Sequence, residues 1–201
     1  MEVTFRLTRK REERTLTTTP ITGEVFGEER DAPRAYLLAA SQKQFSQLKP
    51  AMEMAYQAMR SALEGVTETQ ARFEPAGAGE GEDAWGISQI VRHVAGAQSR
   101  NAARLRALAL ATDSAAPPAA QQNAEDTRTI EALKAALDGS YNALLGAVAD
   151  VEGKQRLDTT FTHAFFGDLN CRGLFALQTL HANDHARQID RIKSHPAYAA
   201  S

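Results

Sequence analysis

The chain has 201 residues, a single cysteine and a formal net charge of −2 at pH 7. This near balance of charge argues against a nucleic-acid partner or an anionic membrane surface, and Cys171 alone excludes an internal disulfide framework or a cysteine-rich zinc site. Because charged residues interrupt the apolar pattern at the start and no later apolar run could span a membrane, we expect a cytoplasmic protein built as one domain with an N-terminal arm.

The arm is predicted to occupy residues 1–33. Apolar residues alternate with polar ones at Val3, Phe5 and Leu7, which indicates a short strand. A charged run and a threonine-rich stretch follow, so a β-hairpin with a solvated, charged tip is predicted. Since an isolated hairpin is only marginally stable in water, we expect this arm to lie on the body or on the second subunit of a homodimer.

The remaining domain, residues 34–201, shows helical periodicity throughout. The first helix is predicted to begin at Pro33 or Arg34, to run to Gly65, and to be kinked or split at Pro50, which lacks an amide hydrogen. A glycine-rich loop follows over residues 74–83.

The second helix is predicted to begin at Trp85 or Gly86, with His93 on or beside its apolar face. The connection after it, from Thr112 to about Glu125, is long for a helical bundle, where loops usually take about 2–8 residues. A crossover to the third helix is therefore expected.

The third helix is predicted to begin after Thr127 or Thr129, either of which can act as an N-cap, and to end at Gly153. A second long connection, residues 154–170, contains His163. Asn170 is a suitable N-cap for the last helix, which is predicted to stop before Pro196.

The last helix carries His181 and His185 within an apolar stripe. Side chains four residues apart on a helix are neighbours, so these two imidazoles can share one metal ion. The alternative is that each histidine is a hydrogen-bonded core residue. His93 on the second helix is the candidate for a third ligand.

Three segments together resemble the DinB-like proteins: WGISQIVRHVA from Trp85, FFGDL from Phe165, and HANDHARQI from His181. The resemblance implies an all-α four-helix bundle with long crossover connections, in which the second and fourth helices face each other. It further implies a divalent metal ion, such as zinc, nickel or iron, held by His93, His181 and His185. Three neutral ligands leave at least one coordination position open, as in catalytic rather than structural sites.

Related proteins include thiol-dependent S-transferases and isomerases that use a low-molecular-weight thiol as co-substrate. The resemblance therefore implies a metal-dependent S-transferase, or a related isomerase or hydrolase, acting on a small molecule, with no catalytic side chain and no further cofactor assigned. The alternative hypothesis is a non-catalytic metal-binding or stress-response bundle that acts through dimer or partner contacts.

Other polar residues have weaker assignments. Gln188 follows His185 on the same face and could hydrogen-bond a ligand imidazole, line the pocket, or be a satisfied core amide. His163 could border the pocket from its loop. Asp184 and Asp190 fall off the apolar stripe and are predicted to face solvent.

Overall fold

The computed structural model describes residues 31–75, 81–112 and 129–200. It is mostly helical, which confirms the all-α bundle. The helices are α1 (Asp31–Ala40), α2 (Phe45–Ala62), α3 (Glu68–Ala71), α4 (Ile87–Leu110), α5 (Ile130–Val151) and α6 (Cys171–Lys193), with 3₁₀ turns at Gly81–Ala84 and Tyr198–Ala200. In the three described stretches, every helix is too short or too polar to cross a membrane. The hairpin predicted near the N-terminus lies outside the described residues and stays a prediction.

The first predicted helix is divided into α1 and α2 at residues 41–44, and not at Pro50. The predicted split at Pro50 is wrong, because α2 runs unbroken through this exposed proline, which lies in its second turn; the alternative of a kink stays a prediction. The actual break is held by side chains. The Ser41 hydroxyl donates to the Leu37 carbonyl at 2.9 Å, and the Gln44 amide donates to the side chain of Gln47 at 2.9 Å.

The helices α4 and α6 form the centre of the bundle. The α4 helix packs against both α5 and α6, and α2 packs on the other side of α6. Its apolar core consists of two clusters stacked along the helices. On α4 one cluster ends at Val94 and the other begins at Ala102; on α6 the corresponding change falls between Leu180 and Ala182. His93 and His181 therefore lie at the boundary between the two core clusters.

The long connection before α6 contains an antiparallel pair of strands, β1 (Phe161–His163) and β2 (Gly167–Leu169), which the sequence pattern did not predict. The turn is closed by Gly167 at φ 74°, a conformation that favours glycine. Asn170 then caps α6 as predicted, since its side-chain oxygen accepts from the Arg172 and Gly173 amides. Thr129 caps α5 in the same way.

A close approach between α6 and the α1–α2 turn predicts opposite effects for two glycine-to-alanine changes. A Cβ at Gly173 would lie 2.4 Å from the Ser41 hydroxyl and 3.3 Å from a methyl of Leu169, both buried. Gly173→Ala should therefore lower the free energy of unfolding by about 1–3 kcal/mol through overpacking.

The matched control is Gly139→Ala on the exposed face of α5, where an added Cβ meets nothing within 4 Å. It should raise the free energy of unfolding by about 0.5–1 kcal/mol, because alanine has less backbone freedom to lose. Urea denaturation followed by circular dichroism measures both. Equal effects of the two changes would contradict the close packing of α6 on this turn.

Candidate metal centre

Three imidazole rings meet where α4 packs on α6. The Nε2 atom of His181 lies 2.8 Å from Nε2 of His93 and 3.2 Å from Nε2 of His185. The three histidines offer ligand atoms that all lie within 4.8 Å of one another. Nitrogen ligands at roughly 2.0–2.1 Å from a zinc ion lie roughly 3 Å from each other. The nitrogens are therefore spaced as the ligands of a single ion are.

Burial keeps the three rings neutral. It lowers the pKa of His93 to about 4, with smaller contributions from the charges of His185 and Arg100. It likewise lowers the pKa of His181 well below the usual value and lowers that of His185, although the hydrogen bond that His185 donates to Gln188 acts against the latter shift. Neutral imidazole is the form that binds a metal ion, so these side chains do not have to lose protons near neutral pH.

The amide of Gln188 determines which nitrogen of His185 carries the hydrogen. Its Nε2 donates to the backbone carbonyl of Glu82 at 2.6 Å, and a carbonyl can only accept. The amide oxygen must then face His185, where it accepts from Nδ1 at 2.8 Å. The Nε2 atom of His185 is left with a lone pair directed at the other two histidines, the arrangement that a metal ligand requires.

Hydrogen bonding alone cannot satisfy the three nitrogens. Because Nε2 of His185 is an acceptor, its contact with His181 uses the single Nε2 hydrogen that a neutral His181 could supply. The Nε2 atom of His181 then has no lone pair left for the 2.8 Å contact with His93. If Nε2 of His93 carries no hydrogen, that contact contains no hydrogen bond, and if it does carry one, two N–H groups face each other. A cation between the rings would accept all three lone pairs, so the donor set fits a metal ion better than it fits a hydrogen-bonded core.

A cavity of about 420 Å³ opens beside the rings. It is bounded by residues from α4, α6, the turn before α4 and the β1–β2 hairpin, namely Glu82, His93, Ala97, Asn101, His163, Phe165, Leu177, Gln178, His181 and His185. His163 thus borders the pocket, but its own Nδ1 accepts from the Phe165 amide at 3.2 Å and its ring stacks on Phe166. The structure brings His93, His181 and His185 together and places His163 at the wall.

One carboxylate at the site was not anticipated, and the environment of another was predicted wrongly. Glu82, in the turn before α4, has its Oε1 atom 3.9 Å from Nε2 of His93. The sequence indicates a role for Glu82 only weakly, through the position of an acidic residue shortly before Trp85. Asp184 is buried, so the prediction that it faces solvent is wrong, whereas Asp190 is exposed as expected. The reason is that α6 is covered on nearly all sides, so positions off the apolar stripe are also enclosed.

Comparison with known protein families gives a match for the sequence profile of the DinB superfamily over residues 51–189, which is more than half of the chain and contains all three histidines. The chain belongs to the DinB superfamily. No curated protein and no solved structure matched the chain. Membership in the DinB superfamily confirms the resemblance carried by the tryptophan, phenylalanine–glycine and histidine segments.

The lowered pKa values predict how the metal-free protein responds to acid. Below the ordinary histidine pKa of about 6.5 the unfolded chain takes up protons that folded His93 does not take up. Stability is therefore fully present above about pH 6.5 and is lost as the pH falls toward the folded value. At pH 5 His93 alone should reduce the free energy of unfolding by about 2 kcal/mol.

Urea denaturation in chelator between pH 7.5 and 5 measures this loss. His93→Leu should flatten the slope of stability against pH, while His195→Asn, which also removes one imidazole but lies outside the triad, serves as the control. An unchanged slope in His93→Leu would show that the ring of His93 is not held neutral by burial.

Proposed function

We propose that this DinB superfamily protein is a metal-dependent enzyme that transfers a low-molecular-weight thiol to a small electrophilic substrate, or performs a related isomerisation or hydrolysis. The observation that carries the proposal is the convergence of three neutral imidazole nitrogens beside a cavity of about 420 Å³. His93, His181 and His185 would hold the ion, which would be zinc, nickel or iron.

A divalent ion held by three neutral ligands keeps its full charge and would lower the pKa of a thiol or water bound to it. Side chains around the site would position the ligands and form the cavity. Gln188 orients His185 through its hydrogen bond and ties the same ring to the turn that carries Glu82. Ala97, Leu177 and the hairpin residue Phe165 supply the apolar part of the cavity wall.

Metal content tests the ligand set. Protein purified without a histidine tag should contain one divalent ion per chain, measured by elemental analysis after equilibrium dialysis. His93→Ala, His181→Ala and His185→Ala should each lose stoichiometric binding, because two imidazoles hold an ion far more weakly than three. The matched control is His163→Ala, which removes an imidazole from the cavity wall and should keep the ion. Full occupancy in His93→Ala would disprove the three-ligand site.

The same variants distinguish an enzyme from a non-catalytic bundle. Metal-loaded wild type should consume thiol in the presence of an electrophile such as 1-chloro-2,4-dinitrobenzene or an epoxide faster than the uncatalysed rate, and His181→Ala should not. A protein that holds its ion fully yet accelerates thiol consumption with none of several thiols and electrophiles would favour the binding or stress-response hypothesis.

Gln188 gives a graded test of how the ligands are held. Gln188→Leu removes both hydrogen bonds of the amide, so metal affinity should fall about 10–100-fold, as is usual when a partner of a ligating histidine is lost. Gln188→Glu keeps an acceptor for Nδ1 of His185 and should recover part of that affinity. Isothermal titration with zinc measures both, and equal affinities of wild type and Gln188→Leu would contradict the role of the amide.

A further inference from the structure

Two guanidinium groups on α4 lie beside the candidate site, and neither has a carboxylate partner in the described part of the chain. Arg100 and Arg104 are one turn apart, on the same helical face as His93. Within the described ranges, Arg100 makes no hydrogen bond or ion pair that meets ordinary distance limits and is half-buried. Arg104 donates to the side-chain oxygen of Asn101 at 3.4 Å and lies 5.0 Å from the centre of the Phe161 ring.

Two other arginines of the bundle are paired with carboxylates. Arg106, only two residues beyond Arg104 but on the α5 side, donates from Nε to Asp150 at 2.7 Å. Arg60 on α2 reaches both carboxylate oxygens of Asp138 at 3.1 and 3.2 Å. Arg106 and Arg60 thus have carboxylate partners, whereas among the described residues Arg100 and Arg104 have none.

Arg100 extends back along α4 toward the three histidines. Its Nη1 atom lies 3.1 Å from the position that a Cβ would occupy on Gly96, so the absence of a side chain there leaves space for the guanidinium. Gly96 is one turn from His93. After burial and the neighbouring imidazoles, the charge of Arg100 also helps to lower the pKa of both His93 and His181. After burial, the charge of Arg104 lowers the pKa of His163. Each arginine thus acts on residues that line the cavity.

An independent observation concerns Gln178 in the cavity wall. Its side chain is only 2% exposed, and among the described residues its amide oxygen has no hydrogen-bond partner. Buried amides are normally paired, so this enclosed oxygen is an unsatisfied acceptor on a residue that lines the cavity. Residues that line the cavity are therefore flanked by two cationic groups, and one of the lining residues carries an unsatisfied acceptor.

We propose that the substrate or thiol co-substrate of this site is an anionic small molecule, whose carboxylate or phosphate group is held by Arg100 and Arg104 while its reacting end lies at the three histidines. The proposal rests on the metal-dependent function above and specifies its substrate class. The planar fork of arginine matches both carboxylate and phosphate oxygens. An anion would also offset the positive charge that two half-buried guanidinium groups and a divalent ion place on one side of α4.

The test compares two thiols of equal length on cobalt(II)-loaded protein, reduced glutathione and its dimethyl ester, which lacks the carboxylate charges. Binding is read from the thiolate-to-cobalt charge-transfer absorbance. Glutathione should bind at least 10-fold more tightly than the ester, since hydrogen bonds to charged groups contribute about 1.5–3 kcal/mol each.

Arg100→Gln should weaken glutathione binding about 10-fold and leave the ester unchanged, and Arg104→Gln should act in the same direction. Arg100→Lys keeps the charge without the fork and should recover part of the affinity. The matched control is Arg106→Gln, which removes a positive charge from the same helix on its α5 side and should bind both thiols as wild type does. Circular dichroism checks that each variant is folded.

Equal affinity for the two thiols, with no effect of Arg100→Gln, would overturn the anionic subsite and leave the metal site intact. If no thiol produces the absorbance band, the proposed function fails instead. Binding of an anion at the subsite is then measured by the fluorescence of Trp85. This residue is the only tryptophan, and the centre of its ring lies 4.9 Å from that of His93. Saturable quenching by glutarate or inorganic phosphate in wild type but not in Arg100→Gln would support the subsite and show which oxyanion it prefers. No quenching by either would overturn it.

Discussion

The side-chain amide of Gln188 joins the turn before α4 to His185 on α6. One end of the amide can only donate to the Glu82 carbonyl, and the other must therefore accept from the imidazole. This single contact orients a ring, selects its tautomer and anchors the turn from which Glu82 approaches His93. The geometry of the site depends on it, because without it nothing in the contacts of His185 would direct its lone pair toward the other two histidines.

His93 and His181 lie at the boundary between two apolar clusters and His185 lies one turn further along α6, at positions where leucine or isoleucine would pack without polar atoms. Three converging nitrogens with an incomplete hydrogen-bond scheme destabilise the metal-free bundle, and the acid sensitivity expected of His93 comes from the same burial. Such a local loss of folding free energy, in a core whose other residues all favour the fold, is typical of functional sites. The long apolar faces of α4, α5 and α6 supply enough core for the fold to tolerate it.

The fold class and the triad could be predicted because their signals are periodic. His181 and His185 share a helical face by spacing alone, and the resemblance of the segment from Trp85 to the DinB-like proteins adds His93. Other features have no such signal. The three-residue strands of the hairpin are too short to show alternation, and the break near Ser41 depends on contacts with Leu37 and with the cap of α6.

Side-chain environments were harder to predict than elements. Asp184 is enclosed because neighbouring segments cover α6 on the side that its apolar stripe leaves free, which one helix in isolation cannot reveal. Likewise, Arg100 and Arg104 look like solvated charges in the sequence. Only the packing of α4 against α6 and the hairpin shows that they flank a cavity and that, among the residues the structure describes, Arg106 alone of the three pairs with a carboxylate.

X-ray absorption spectroscopy of the metal-loaded, untagged protein tests the central claim most directly. Scattering from imidazole rings is distinctive, so the fine structure reports how many histidines bind the ion. The account predicts three imidazoles with the remaining ligands being light oxygen or nitrogen atoms, and a sulfur atom entering the shell when a thiol is added. A shell with two imidazoles or fewer would contradict it.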